Sequence, residues 1–176
     1  MKKILVVVDM QKDFVDGELG TKEAVAIVDN VVKKIKDFDG DIIVTYDTHS
    51  DNYMQTQEGA NLPVPHCIKG TDGWQLDGSV QAALSGKDYK IIEKPTFGST
   101  ELPEYIKSSY DPASIEIQLI GLCTDICVVS NALLLKANFL ETKVSVDARC
   151  CAGVTPESHN AALTTMKMCQ VEVINP

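Results

Sequence analysis

At 176 residues with 44% hydrophobic content, the chain is long enough for one well-buried domain and too short for two, so a single domain spanning 1–176 is expected. Its 16 Lys and Arg against 25 Asp and Glu leave a formal charge of -9, which opposes non-specific binding to nucleic acid or to an anionic membrane and favours a small-molecule or protein partner. Ile4 to Val8, the one apolar run near the start, is too short for a signal-peptide core or a membrane span, and a cytoplasmic protein is expected.

Short Val- and Ile-rich runs alternate with amphipathic segments along the chain. Lys3 to Val8 reads as the first strand and ends at Asp9. The helical spacing of Ala24, Val25, Val28, Val31, Val32, Ile35 and Phe38 predicts a helix, followed by a strand over Asp41 to Tyr46. Asp47 to Asp77 then carries little periodicity, three Gly, two Pro and two of the three histidines, and reads as an ordered functional loop. Val80, Ala83 and Leu84 suggest a second helix, Tyr89 to Ile92 a strand, and Leu102, Tyr105 and Ile106 a short helix. Glu116 to Ile120 is the next strand. Ile126 to Phe139 is apolar nearly all round and reads as a helix buried against a sheet. A strand over Lys143 to Val146, a helix over Pro156 to Met168 with Thr155 as N-cap, and a last strand over Val171 to Val173 complete the pattern. Such alternation predicts a three-layer α/β/α, doubly wound, Rossmann-like fold around a six-stranded parallel sheet. Its ligands are expected outside the carboxyl ends of the strands.

Three ionisable residues follow strand-like runs. Asp9 comes directly after five apolar residues, Lys94 follows Ile91-Ile92-Glu93, and Cys127 sits where a strand passes through Gly121 and Thr124-Asp125 into a helix. A thiol in a first helical turn faces the positive end of the helix dipole, which favours thiolate, and unpaired backbone N–H groups there can hold an oxyanion. Each position has a plain structural reading: a carboxylate cap, a surface lysine, a buried cysteine. Together, an acid, an ammonium and a thiol on one sheet edge make a cysteine-hydrolase site. The six cysteines, with no export signal, are expected as reduced thiols, and the spacing of Cys123 to Cys127 is not CxxC.

Asp47, His49, Glu58 and His66 form a second set. Two imidazoles and one or two carboxylates suit Zn²⁺, Fe²⁺ or Mn²⁺ with positions left for water or ligand; histidines packing a loop without metal are the alternative. His159 lies in a late helix and reads as structural or solvent-facing.

The ordered motifs Val8-Asp9-Met10-Gln11-Lys12-Asp13-Phe14, Asp47-Thr48-His49, Pro65-His66-Cys67-Ile68-Lys69-Gly70-Thr71, Lys94-Pro95-Thr96-Phe97-Gly98-Ser99-Thr100 and Gly121-Leu122-Cys123-Thr124-Asp125-Ile126-Cys127-Val128 resemble the isochorismatase-like cysteine hydrolase superfamily, within it the nicotinamidase (pyrazinamidase) branch. The resemblance covers nearly the whole chain. It implies an Asp9–Lys94–Cys127 triad, an oxyanion hole from the backbone N–H groups of Cys123 and Cys127, and a cis peptide joining Leu122 to Cys123. It also implies a divalent metal, commonly zinc, held by Asp47, His49 and His66 with Glu58 as the fourth ligand. The implied reaction is hydrolysis of nicotinamide or a related heteroaromatic amide to the acid and ammonia through a thioester.

The branch carries a Trp or Phe shortly before its third metal ligand; this chain has Leu62-Pro63-Val64-Pro65 there, so Leu62, with Phe14 and Phe97, is the implied substrate-facing set. The competing readings are a metal-free relative acting on a carbamoyl, ureido or other small amide, and a non-catalytic binding or redox-sensing protein. A homo-oligomer is expected, since closed symmetric assemblies are common and relatives form dimers or tetramers.

Overall fold

The computed structural model describes residues 1–176. The strands are β1 (Lys2–Val8), β2 (Asp41–Asp47), β3 (Tyr89–Lys94), β4 (Ile115–Leu122), β5 (Lys143–Ala152) and β6 (Glu172–Ile174). All pair in parallel in the order β3-β2-β1-β4-β5-β6. Succession runs outward one way from β1 and the other way from β4, so the topological switch point lies between these two central strands. A crevice opens beyond their carboxyl ends in such a fold.

Helices cover both faces. The one-turn α1 (Lys12–Val15), α2 (Lys22–Asp37) and α4 (Gly78–Leu84) bury Phe14, Ala24, Ile27, Val31, Ile35, Val80 and Leu84 against Leu5, Val7 and Val44. On the other face α5 (Glu101–Ser109), α6 (Val129–Asn138) and α7 (Pro156–Met168) pack Leu102, Ile106, Ala132, Leu135, Leu163 and Met166 against Ile4, Val6, Val8 and Leu119. β1 is therefore buried on both sides, which is why its sequence is a continuous apolar run rather than an alternation.

Local signals fix the helix starts. Thr21 accepts from the Ala24 N–H at 3.0 Å, Asp77 from Ser79 and Val80, and Thr155 with Ser158 forms a reciprocal capping box before Pro156. No helix is long and apolar enough to cross a membrane.

Three elements depart from the sequence reading. The segment from Asp47 to Asp77 contains a 3₁₀ turn (Tyr53–Gln55), the short helix α3 (Gln57–Asn61) capped by Thr56, and an isolated bridge pairing His49 with Ile68. β5 runs on to Ala152 because Ala148, Cys150, Cys151 and Ala152 are small and buried, although none is β-branched. The helix expected from Ile126 begins instead with a wide π-helical turn, Thr124–Val128, which passes into α6 at Val129. Pattern alone does not separate a π turn from an α turn.

Candidate active site

The three candidate residues leave the carboxyl ends of β1, β3 and β4, of which β1 and β4 are neighbours and β3 lies one strand further out. Asp9 follows β1 with φ of 46°, an uncommon conformation for a non-glycine residue that turns the chain sharply off the sheet. Lys94 ends β3, and Cys127 lies in the π turn beyond β4. Gly121, at φ 117°, brings β4 so close to β1 that a Cβ there would collide with the Val8 carbonyl oxygen, one residue before Asp9. The Leu122–Cys123 peptide is cis, as the resemblance implies.

Lys94 is the hub. Its Nζ lies 2.6 Å from Asp9 Oδ2, 3.4 Å from Asp47 Oδ1 and 3.5 Å from Cys127 Sγ, and donates to the Thr96 carbonyl at 3.0 Å. Burial alone lowers a lysine's pKa, yet the surrounding Asp9, Cys127 and Asp47 outweigh it and hold Lys94 well above its ordinary value, so it is an ammonium. Asp9 Oδ1 accepts from Thr45 Oγ1 at 2.6 Å, while Oδ2 has the ion pair and no directional hydrogen bond. Burial raises the Asp9 carboxyl, with the Lys94 charge opposing it.

Cys127 is 4% exposed. Its burial and then the charge of Asp9 push the thiol well above its usual pKa, against the pull of Lys94. Burial thus opposes the pull of a helix end toward thiolate and favours a protonated sulfur, beside a carboxylate that can take its proton.

The second set also converges. Asp47 Oδ2 lies 3.0 Å from His49 Nε2 and 3.5 Å from His66 Nε2; Glu58 Oε1 lies 3.6 Å and 3.7 Å from the same two nitrogens. The four ligand atoms all lie within 4.8 Å of one another. A tetrahedral zinc shell has ligand-to-ligand edges of about 3.3 Å, so this donor set fits a divalent ion with little movement. The Val64 carbonyl, an obligate acceptor 2.8 Å from His66 Nδ1, fixes the proton there and turns the Nε2 lone pair inward. Burial works against the Asp47 charge, but the facing imidazoles of His49 and His66, where they carry a proton on Nε2, and the nearby Lys94 hold its carboxyl well below the usual range. Asp47 thus serves both sets, one oxygen toward the lysine and the other toward the imidazoles.

Sequence reading missed the residues that hold these ligands in place. Gln11 is fully buried and grips Asp47 by its backbone: Oε1 accepts from the Asp47 N–H at 2.7 Å, and Nε2 donates to the Asp47 carbonyl at 2.8 Å and the Trp74 carbonyl at 2.9 Å. Asp13 Oδ2 accepts from the Cys67 N–H at 2.7 Å, next to His66. Their alternation with Asp9 in Asp9-Met10-Gln11-Lys12-Asp13 was the available signal.

The aromatic packing differs from expectation too. Tyr53 is buried with its ring 4.8 Å from His49 and 5.0 Å from His66, and its hydroxyl donates to the Leu62 carbonyl at 2.8 Å. Phe14 stands edge-on to His66 at 5.5 Å. The Leu62 and Phe97 side chains are 38% and 44% exposed; what ties those residues to the site is their backbone carbonyls. His159, expected to be structural or solvent-facing, is half-buried and hydrogen-bonded to Thr124 Oγ1 at 2.8 Å, at the start of the turn that carries Cys127.

The isochorismatase domain model matches residues 3–175. The chain is 28% identical to the nicotinamidase/pyrazinamidase of Mycobacterium tuberculosis, with 98% of each chain covered. Among solved structures it superposes on a Bacillus subtilis nicotinamidase/pyrazinamidase with a TM-score of 0.84 at 26% identity, covering 98% of this chain and 99% of the other. It also superposes on the pyrazinamidase of Pyrococcus horikoshii in complex with zinc, with a TM-score of 0.81 at 25% identity and 99% of each chain covered. A matched domain model spanning almost the whole sequence, on a parallel sheet with these two converging side-chain sets, makes the chain a member of the isochorismatase family.

Proposed function

We propose that the protein is a metal-dependent cysteine amidase that hydrolyses nicotinamide, or a similar heteroaromatic amide, to the acid and ammonia. The observation that carries this reading is the sharing of Asp47 between Lys94 and the imidazoles of His49 and His66, which sets a candidate cation site directly beside a buried acid, ammonium and thiol. Relatives with those activities, one crystallised with zinc, support the substrate class and the metal. Asp9, Lys94 and Cys127 are at most 4% exposed, which suits a small planar amide and not a peptide.

In the proposed reaction Asp9 takes the Cys127 proton as the sulfur attacks the amide carbonyl, and Lys94 stabilises the thiolate as it forms. The backbone N–H groups of Cys123 and Cys127 hold the oxyanion. Asp9 returns its proton to the departing nitrogen, ammonia leaves, and a thioester remains on Cys127. Asp9 then activates water, which releases the acid and restores the thiol. A divalent ion bound by Asp47, His49, Glu58 and His66, zinc in the first instance and iron or manganese as alternatives, supplies a Lewis-acid contact for a ring nitrogen of the substrate. Phe14 and Tyr53 pack against the imidazoles at that end of the site, with Leu62 and Phe97 in the outer substrate-facing set.

Ammonia release from nicotinamide, measured for metal-replete wild type and Cys127→Ala, tests the proposal. Turnover in wild type and none in the variant is expected. An inactive metal-replete wild type overturns the substrate assignment, and activity on carbamoyl or ureido compounds unaffected by chelation would favour the metal-free branch of the family.

A further inference from the structure

We infer that Asn131 is a positioning residue for the reaction, holding the lysine and the nucleophile in register through a single buried amide. The inference rests on the cysteine-hydrolase reading above. Asn131 is fully buried near the start of α6, directly before Ala132, Leu133, Leu134 and Leu135. Its Nδ2 donates to the Cys127 carbonyl at 2.8 Å and to the Phe97 carbonyl at 3.1 Å, and its Oδ1 accepts from the Ser99 N–H at 2.9 Å. One side chain therefore joins the nucleophile's own peptide to the loop that follows Lys94.

That loop governs the lysine. Asn131 fixes it on the far side of Thr96, at Phe97 and Ser99, and the Thr96 carbonyl accepts from Lys94 Nζ at 3.0 Å. The loop also lies against α6: a Cβ on Gly98 would meet Leu134 Cδ1 at 2.6 Å and Ser130 Cβ at 3.4 Å. Two carboxylates attract the ammonium far more strongly than a neutral thiol does. The Thr96 carbonyl is the neutral contact that limits how far the ammonium settles toward Asp9 and Asp47. With the Asn131 tie cut, the loop relaxes from α6, the ammonium follows the carboxylates, and the thiolate forms without its cation.

An asparagine that merely satisfies buried polar groups would lower stability on removal and leave the folded enzyme's chemistry intact. Asn131→Ala and Asn131→Thr separate the two roles. A threonine can return a hydrogen bond to the carbonyl four residues back, here that of Cys127, but reaches neither Phe97 nor Ser99, so it keeps the helix satisfied and cuts only the loop.

The test uses each variant with the metal it carries as purified, folding checked by circular dichroism. It measures kcat and KM for nicotinamide and the rate of Cys127 alkylation by iodoacetamide, followed by mass spectrometry because Cys127 is buried while Cys169 is exposed and reacts too. Both variants are expected to lose about 10- to 100-fold in kcat with KM within about threefold, and to be alkylated more slowly by a similar factor. A folded Asn131→Thr with wild-type kcat overturns the inference, as does a kcat loss with wild-type alkylation or a change confined to KM. Alkylation needs the Cys127 thiolate to form but no amide substrate, so if wild type proves inactive on nicotinamide, the alkylation comparison alone decides the role of Asn131.

Discussion

The two halves of the site are built differently. Asp9, Lys94 and Cys127 stand at or just beyond the carboxyl ends of β1, β3 and β4, and their positions follow from the sheet. Of the metal-type set only Asp47 ends a strand; His49, Glu58 and His66 come from the long segment between β2 and α4, which hangs on a 3₁₀ turn, a short helix and two isolated bridges, His49 with Ile68 and Leu76 with Gln11. The chemistry is thus placed by the fold, and the ligand set by side chains that clamp backbone. Gln11 and Asp13 perform that clamping from the same segment that supplies Asp9, the proposed general base.

Predictions that separate the halves follow from this contrast. Cys127→Ala should have the largest effect, a loss of about a thousandfold or more in ammonia release with the metal content of the purified protein unchanged. His49→Ala should do the reverse, taking bound metal from about one ion per chain to nearly none by elemental analysis while Cys127 remains open to alkylation. Gln11→Ala leaves the Asp47 N–H unpaired in a buried place; a 10- to 100-fold loss of metal affinity, about what outer-shell changes cost elsewhere, should appear in a chelator competition. If Gln11→Ala instead abolishes alkylation and spares metal, the division of labour drawn here is wrong.

Thr45→Val probes the triad half more gently. The Thr45 hydrogen bond favours the Asp9 carboxylate, so its loss raises the carboxyl pKa further, and the acid limb of kcat/KM against pH should move to higher pH. The smallest effect is expected at Thr21→Ala, which removes the cap of α2 far from both halves: about 1 kcal/mol of stability, a melting point lower by about 2 to 4 °C, and unchanged kcat.

The same contrast explains what could be read in the sequence. A strand buried on both faces leaves a run such as Ile4 to Val8, and the ionisable residue just past it is conspicuous, so Asp9, Lys94 and Cys127 were visible. His49 and His66 were visible by chemical type alone. Gln11 and Asp13 look like ordinary helix-start residues, because what they do depends on backbone brought in from 36 and 54 positions away. Tyr53 lay hidden in a segment without periodicity, and Asn131 showed only as a polar interruption in an apolar helix. The helix position of Cys127 is a local property and legible, whereas the burial that pushes its thiol up depends on everything packed around the sulfur.

Gly121 deserves weight out of proportion to its chemistry, since it has none. By letting β4 lie against the Val8 carbonyl, it sets the spacing at which a carboxylate leaving one strand and a thiol beyond its neighbour can share a proton. A methyl group there would touch no reacting atom, yet it would wedge the two strands apart at their exits, and proton transfer tolerates misplacement poorly. The reaction therefore depends on a hydrogen atom where every other amino acid has a carbon.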